Sequence, residues 1–337
     1  MQNETSFPDD FYKYDTMNYR RFLQGYVEDL RTSYNRSFRS IIEKLNFNNK
    51  IIFVGSSWSL NAARIFGDYV RGKINFLYAE TYEESVSISK DDLVIAVSYS
   101  GNSEEASSWL KHARRVGAKT LVISASDKLV SDSLSSPIID LTKGLPSRCS
   151  TFTILGTLLR LFEDAGLVES QVERVQEAVD FLRTQNVSKV GEDLSLKLYG
   201  VIPLIYSSSS IENSCHRFKR LVNVNAKTTA FFNVLPGADY YEAEGFVNKN
   251  ASFHAVFLSG SDDLSRLKKK ISMYKDSLQS QGVNVTEISI KGKNLVKIVT
   301  VLMIADYTSY YLALRYKQEP LSDRITSKIK KDMGIFI

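Results

Sequence analysis

Near the start of the chain, apolar residues recur at three- and four-residue steps: Phe22, Tyr26, Val27, Leu30, Tyr34, Phe38, Ile41, Ile42 and Leu45. That spacing predicts a long amphipathic helix over 16–46. The texture then changes to short continuous apolar runs, each followed by a turn and a helical stretch. Ile51-Ile52-Phe53-Val54 ends at Gly55-Ser56-Ser57 before a helix around 62–70. Leu93-Val94-Ile95-Ala96-Val97 breaks at Ser98 and leads into a helix from Glu104 to about Val116. Thr120-Leu121-Val122-Ile123 follows Gly117, which is placed to end that helix, and Pro137 to Leu141 reads as a further strand. Strands alternating with helices at this spacing predict βαβ units and a parallel sheet covered on both faces.

Residues 150–198 carry helical periodicity and no clear strand. The rhythm then restarts. Val201 to Tyr206 runs into Ser207-Ser208-Ser209-Ser210 and a helix to about Leu221. His254 to Leu258 precedes a helix over 263–281, Val283 to Ile290 is a strand, and Leu295 to Tyr316 reads as a long helix. Strand, serine-rich turn, helix therefore occurs twice, which predicts two similar α/β lobes. A length of 337 residues agrees, at about 100–200 residues per domain. The expected division is a helical segment over 1–48, a first lobe over 49–185 and a second over 186–337.

Composition narrows the function classes. With 43% apolar and 24% charged residues, the chain is ordinary for a globular protein. The net charge of +5 comes from 43 basic and 38 acidic residues spread along the chain, which suits small anionic substrates. No dense basic run with interleaved aromatics points to nucleic acid, and Lys268-Lys269-Lys270 fits a solvated helix face. No window of about 18 uncharged apolar residues predicts a membrane span. Two distant cysteines, Cys149 and Cys215, fit a reducing compartment, and no basic apolar leader opens the sequence, so a cytoplasmic location is expected. No spacing of His, Asp and Glu matches a metal site.

The chemistry concentrates on Ser98-Tyr99-Ser100-Gly101-Asn102-Ser103. This loop leaves the carboxyl end of an apolar strand and opens a helix, where open parallel sheets bind ligands. Hydroxyls and the N–H groups of a first helical turn can converge on an anion there. The loop lacks the lysine of a nucleoside-triphosphate loop. A plain alternative stands beside the phosphate cradle: Asn102 or Ser103 caps a helix whose first turn carries Glu104 and Glu105.

Leu93 to Glu105 resembles the phosphosugar-binding motif of sugar isomerase (SIS) domains. Leu145-Pro146-Ser147-Arg148 with Leu155-Gly156-Thr157-Leu158-Leu159 resembles a segment of the bifunctional phosphoglucose/phosphomannose isomerase family. Asn223-Val224-Asn225-Ala226-Lys227 is similar to that family's Asn-Glu-Asn-Ala-Lys, and Pro236 to Gly245 to its Pro-Glu-x-Asn-His-Asn-Glu stretch. The resemblance implies two SIS lobes, each a flavodoxin- or Rossmann-like αβα sandwich. It further implies a homodimer and cofactor-free aldose–ketose isomerisation of a hexose 6-phosphate. The phosphate contacts it implies are Ser98, Ser100 and Ser103, with Gly55, Ser57 and Ser59 beside the sugar.

The implied catalytic positions are altered. Arg148 matches the family's arginine, a donor for enediolate charge. The base's position is Val224, which carries no proton, and the ring-opening histidine's position is Tyr240, with an ordinary pKa of ~10. Glu242 keeps the motif's glutamate, Asp239 replaces an asparagine, and Lys330 (or Lys328, with a one-residue gap) stands where the family has a lysine. Trp58 replaces a glycine of the first-strand loop. Two alternatives follow from these losses: a diverged sugar-phosphate-binding or regulatory protein, or an enzyme of amino-sugar phosphates.

Overall fold

The computed structural model describes residues 11–43, 45, 49–83, 85–129, 136–292 and 294–334. The chain divides into two compact units. One runs from Gly25 to Asp180; the other joins the stretch ending at Gln24 to the stretch beginning at Phe181.

The element order opens with α1 (Tyr19–Tyr34) and α2 (Arg39–Ile42). It continues through β1 (Ile51–Gly55), α3 (Ser57–Tyr69), β2 (Phe76–Ala79), β3 (Leu93–Val97), α4 (Glu104–Arg115), β4 (Lys119–Ser124) and β5 (Ile138–Asp140). Three helices follow: α5 (Thr151–Asp164), α6 (Val172–Thr184) and α7 (Val187–Leu198). The rest is β6 (Ile202–Ser208), α8 (Glu212–Asn225), β7 (Phe231–Leu235), α9 (Glu242–Gly245), β8 (Phe253–Gly260), α10 (Ser265–Ser280), β9 (Asn284–Ile290), α11 (Asn294–Arg315) and α12 (Arg324–Met333).

Both sheets are wholly parallel, in the orders β2-β1-β3-β4-β5 and β7-β6-β8-β9. The expected α/β class with two parallel sheets flanked by helices is what the chain adopts. In each sheet the first strand lies inside, beside the third, so the order reverses between β1 and β3 and again between β6 and β8. Two strands escape the apolar pattern, β2 and β7. Both are edge strands of four and five residues whose faces are only partly buried; β2 is apolar throughout but short, and Asn233 interrupts β7.

The predicted helix over 16–46 is broken after Tyr34. Asp164, at the end of α5, accepts the Phe38 N–H at 2.6 Å and the Ser37 hydroxyl at 3.3 Å, and so captures the backbone there. The apolar period runs on because Phe38 still packs inward, at 2% exposure.

In the unit from Gly25 to Asp180, alternate residues of the strands feed two faces. Ile52, Val54, Val94 and Ala96 pack with Trp109 and Leu110 of α4. Phe53 faces the other way, its ring 5.0 Å from Phe76, while the tilted rings of Phe66 and Phe162 lie 4.9 Å apart. Gly156 lets α5 touch α1, for a Cβ there would lie 2.5 Å from the Leu30 carbonyl oxygen.

The other unit is centred on α11, packed between α7 and α8. This helix is long and apolar enough to cross a bilayer, yet its apolar window is wholly buried in protein, as a core helix is. At its middle, Arg217 and Asp306 form an ion pair at 2.9 Å with both side chains at 0% exposure. The Tyr19 hydroxyl donates to the same carboxylate at 2.8 Å.

Candidate functional site

The first order reversal brings two loops together at the carboxyl ends of β1 and β3, the place where such sheets bind ligands. Gly55 ends β1 so close to β3 that a Cβ would lie 2.4 Å from the Val97 carbonyl oxygen. Ser57 takes a left-handed conformation, φ 50°, and donates its N–H to Glu80 Oε1 at 2.8 Å. Ser59, on the first turn of α3, accepts the Tyr99 N–H at 2.9 Å. Ser56 donates to the Ser103 hydroxyl at 3.0 Å. Two turns distant in sequence are thereby joined into one serine-lined floor.

Within the second loop, Ser98 is buried, and its carbonyl accepts the Gly101 N–H at 3.1 Å. Gly101 sits at φ 70°, where a side chain would be strained. Ser103 caps α4, accepting the Ala106 N–H at 3.2 Å and donating to Glu105 Oε2 at 2.8 Å. The cap expected as the plain alternative is therefore present. It engages one N–H of the first turn, and a helix start has four such groups without intrahelical partners. Ser100 is exposed at the tip, its Oγ 3.4 Å from the Asn102 N–H. Glu104 is drawn aside by the Tyr82 hydroxyl at 2.8 Å, a bond that pushes Tyr82 up to about 12.

A cation does stand beside this loop, although none lies within its sequence. Lys128 Nζ donates to Asn102 Oδ1 at 3.1 Å. It comes from the segment after β4, and nothing in its local sequence marks it.

Arg148 lies in a one-turn 3₁₀ helix, Ser147–Cys149, and is 8% exposed. Tyr99 ties the approach to it, donating to the Thr142 carbonyl at 2.7 Å and accepting the Leu145 N–H at 2.9 Å. Burial raises the Tyr99 hydroxyl, the Leu145 N–H opposes that, and the charge of Asp29 adds to the rise. Asp29 is a residue the sequence did not single out. Burial, and then Glu28, lift its carboxyl to about 6, and no hydrogen bond or ion pair of that carboxylate occurs among the described residues. Only its place on the half-buried face of α1 could have signalled it.

The other catalytic candidates belong to the second unit. Val224 is half-buried near the end of α8. Tyr240 is 76% exposed, with the Lys270 ammonium 3.8 Å over its ring. Asp239 pairs with Lys270 at 2.6 Å and accepts the Gly237 N–H at 2.9 Å. Although burial opposes it, these contacts hold Asp239 below the usual carboxylate range. Glu242 accepts from the Tyr206 hydroxyl and from Asn233 Nδ2, both at 2.6 Å, so each oxygen is engaged. Tyr206 is pushed far up by burial, with Tyr274 and Glu242 adding, and keeps its proton. Lys330 is exposed on α12, a helix with no buried residue.

The second reversal is closed by its own side chains. Asp263 accepts from Ser208 at 3.2 Å and from the Gly260 N–H at 2.8 Å, while Lys297 pairs with Asp262 at 2.8 Å. In the serine run there, Ser208 and Ser210 share a hydrogen bond of 2.9 Å, whereas the buried Ser207 hydroxyl has no hydrogen-bond partner among the described residues. His216 stacks on Phe232 at 5.4 Å, and His254 bonds Thr286 at 2.8 Å, its pKa lowered by burial.

Comparison with known proteins adds to this geometry. Residues 44–158 match the SIS domain, and residues 188–333 match the bacterial phospho-glucose isomerase C-terminal SIS domain. A bifunctional phosphoglucose/phosphomannose isomerase of Aquifex aeolicus is 29% identical over 254 residues, which cover 73% of this chain and 77% of the relative. A D-glucosamine-6-phosphate 4-epimerase of Sulfolobus acidocaldarius is 28% identical over 254 residues, 73% of this chain and 78% of the relative. Among solved structures, a glucose-6-phosphate isomerase like protein from Thermus thermophilus superposes with a TM-score of 0.61 at 17% identity. That superposition covers 97% of this chain and 98% of the other.

Proposed function

For a chain that carries two SIS domains, we propose that it interconverts aldose and ketose forms of a hexose 6-phosphate, glucose or mannose 6-phosphate giving fructose 6-phosphate. The observation that carries this is the serine-lined floor at the first order reversal, in the unit whose sequence matches the SIS domain and beside a buried arginine. The similarity to phosphoglucose/phosphomannose isomerases supports the same reaction.

In this reading Ser98, Ser100 and Ser103, with the first-turn N–H groups of α4 and Lys128, hold the phosphate. Gly55, Ser57 and Ser59 shape the wall beside the sugar. Isomerisation removes the C2 proton of the open-chain aldose, forms an enediolate, and returns a proton to C1. Arg148 is the cation for the enediolate oxygen. Val224 cannot move the proton, Asp239 is held ionised by Lys270, and Glu242 has both oxygens engaged. We assign the transfer to Asp29, half-buried on α1, whose carboxyl is raised by burial to about 6 and has no hydrogen-bond or ion-pair partner among the described residues. Glu242 then serves to fix the segment 237–245 on β6 and β7, and Lys330 is an exposed cation on α12. A homodimer in the cytoplasm completes the reading, and sedimentation velocity tests the dimer.

The purified chain is offered glucose, mannose, fructose and glucosamine 6-phosphates; the amino sugar is included because of the similar epimerase. Interconversion of the neutral hexose phosphates, with KM raised by Ser100→Ala, is the expected result. Saturable binding of all four without turnover would replace the isomerase with a sugar-phosphate-binding protein.

A further inference from the structure

The residue that follows β2 acts on the first-strand loop from outside it. β1 and β2 run parallel with Val54 opposite Ala79, so the register sets Glu80 beside Gly55 at the carboxyl end of the sheet. From there Glu80 Oε1 accepts the Ser57 N–H at 2.8 Å. Ser57 stands at φ 50°, a left-handed conformation that is strained for a residue with a Cβ and persists only where its surroundings impose it.

Glu80 is itself anchored. Its Oε2 faces Arg64 Nη2 of α3 at 3.8 Å, and the Arg64 guanidinium lies 4.6 Å over the Tyr78 ring. The two charged side chains are 33% and 31% exposed, so the pair orients the carboxylate more than it stabilises the fold. The next two residues are tied to the other loop's helix, α4. The Thr81 carbonyl accepts the Trp109 Nε1–H at 2.9 Å, and the Tyr82 hydroxyl donates to Glu104 at 2.8 Å. Residues 80–82 therefore strap both turns of the serine floor. Glu80 lies outside every motif that carries the family resemblance.

We propose that Glu80 is a positioning residue of the sugar-phosphate site. By accepting the Ser57 N–H it holds the turn between β1 and α3 in the binding shape, and it does so without touching the substrate. This role rests on the reading of the serine floor as a hexose-phosphate site. A turn that takes its binding shape only part of the time weakens apparent affinity by that fraction, for substrate and transition state alike.

Steady-state kinetics of the full chain with fructose 6-phosphate, alongside calorimetric titration with the same compound, test the role. Glu80→Ala is expected to raise KM and Kd about tenfold and to leave kcat within about twofold. Glu80→Gln keeps an acceptor oxygen for the Ser57 N–H and retains most of the affinity. Glycine takes the left-handed conformation freely, so in a Ser57→Gly background Glu80→Ala costs no more than about twofold. Thermal unfolding nearly unchanged in each variant separates this role from a loss of fold. An unchanged Kd in Glu80→Ala, an equal loss in Glu80→Gln, or the same loss in both backgrounds would each overturn the role and leave the isomerase reading standing. Neither turnover nor binding of fructose 6-phosphate by the unsubstituted chain would overturn that reading and this role with it.

Discussion

Ser56 and Ser103 share a hydrogen bond of 3.0 Å although 47 residues separate them. The bond joins the turn after β1 to the cap of α4, and it makes one floor from two loops. Replacing Ser103 by alanine removes this link and the cap together. Loss of an N-cap costs about 1 kcal/mol, which lowers the melting temperature by about 2–4 °C in a domain of this size. Affinity for the sugar phosphate falls at the same time, and calorimetry and thermal unfolding of the Ser103→Ala chain check both effects.

Tyr99 connects that floor to the arginine segment. Its hydroxyl holds Thr142 and Leu145, three residues before Arg148. In Tyr99→Phe the ring stays and these bonds are lost. The expected effect is a fall in kcat with the phosphate affinity nearly unchanged, because the loop's own backbone bonds do not involve the hydroxyl. Steady-state kinetics and direct titration with substrate separate the two quantities.

Asp29 couples stability to pH, and under its proposed role it couples turnover to pH as well. Its folded pKa of about 6 lies above the ordinary carboxylate value of 3.8, so the folded unit binds this proton more tightly than the unfolded chain does. The contribution favours folding below the unfolded value and is lost as pH rises through about 6. Asp29→Asn therefore raises the melting temperature at pH 8 and leaves it nearly unchanged at pH 4. Turnover should drop by about 10²- to 10⁴-fold in the same variant, while the wild-type rate declines below about pH 6. Substitution without loss of rate would remove Asp29 from the mechanism and leave the isomerase reading standing.

The buried pair Arg217–Asp306 makes a different prediction. Removing one partner, as in Arg217→Met, strands a charge at 0% exposure and costs about 3–5 kcal/mol. Replacing both, Arg217→Met with Asp306→Leu, recovers most of that loss. Urea unfolding of the single and double variants measures the difference.

The apolar runs of β1, β3, β4, β6 and β8 could be read directly, since strands buried on both faces are continuous in apolar residues. β2 and β7 went unread because they are short edge strands with only partly buried faces. The break in the first helix was equally hidden. It depends on Asp164, brought to Phe38 only by packing of α5.

The sequence by itself determined the α/β class and the doubling of the lobe, and it marked the serine loop as the candidate site. These are properties of neighbours along the chain: period, turn residues and a helix start. Tertiary structure alone decided the surroundings of the charged groups. It set Lys128 beside Asn102, buried Asp29 until its pKa rose, and tied up Asp239 and Glu242 in bonds of their own. Desolvation and pairing fix the chemistry of a carboxylate, and both depend on residues distant in the chain.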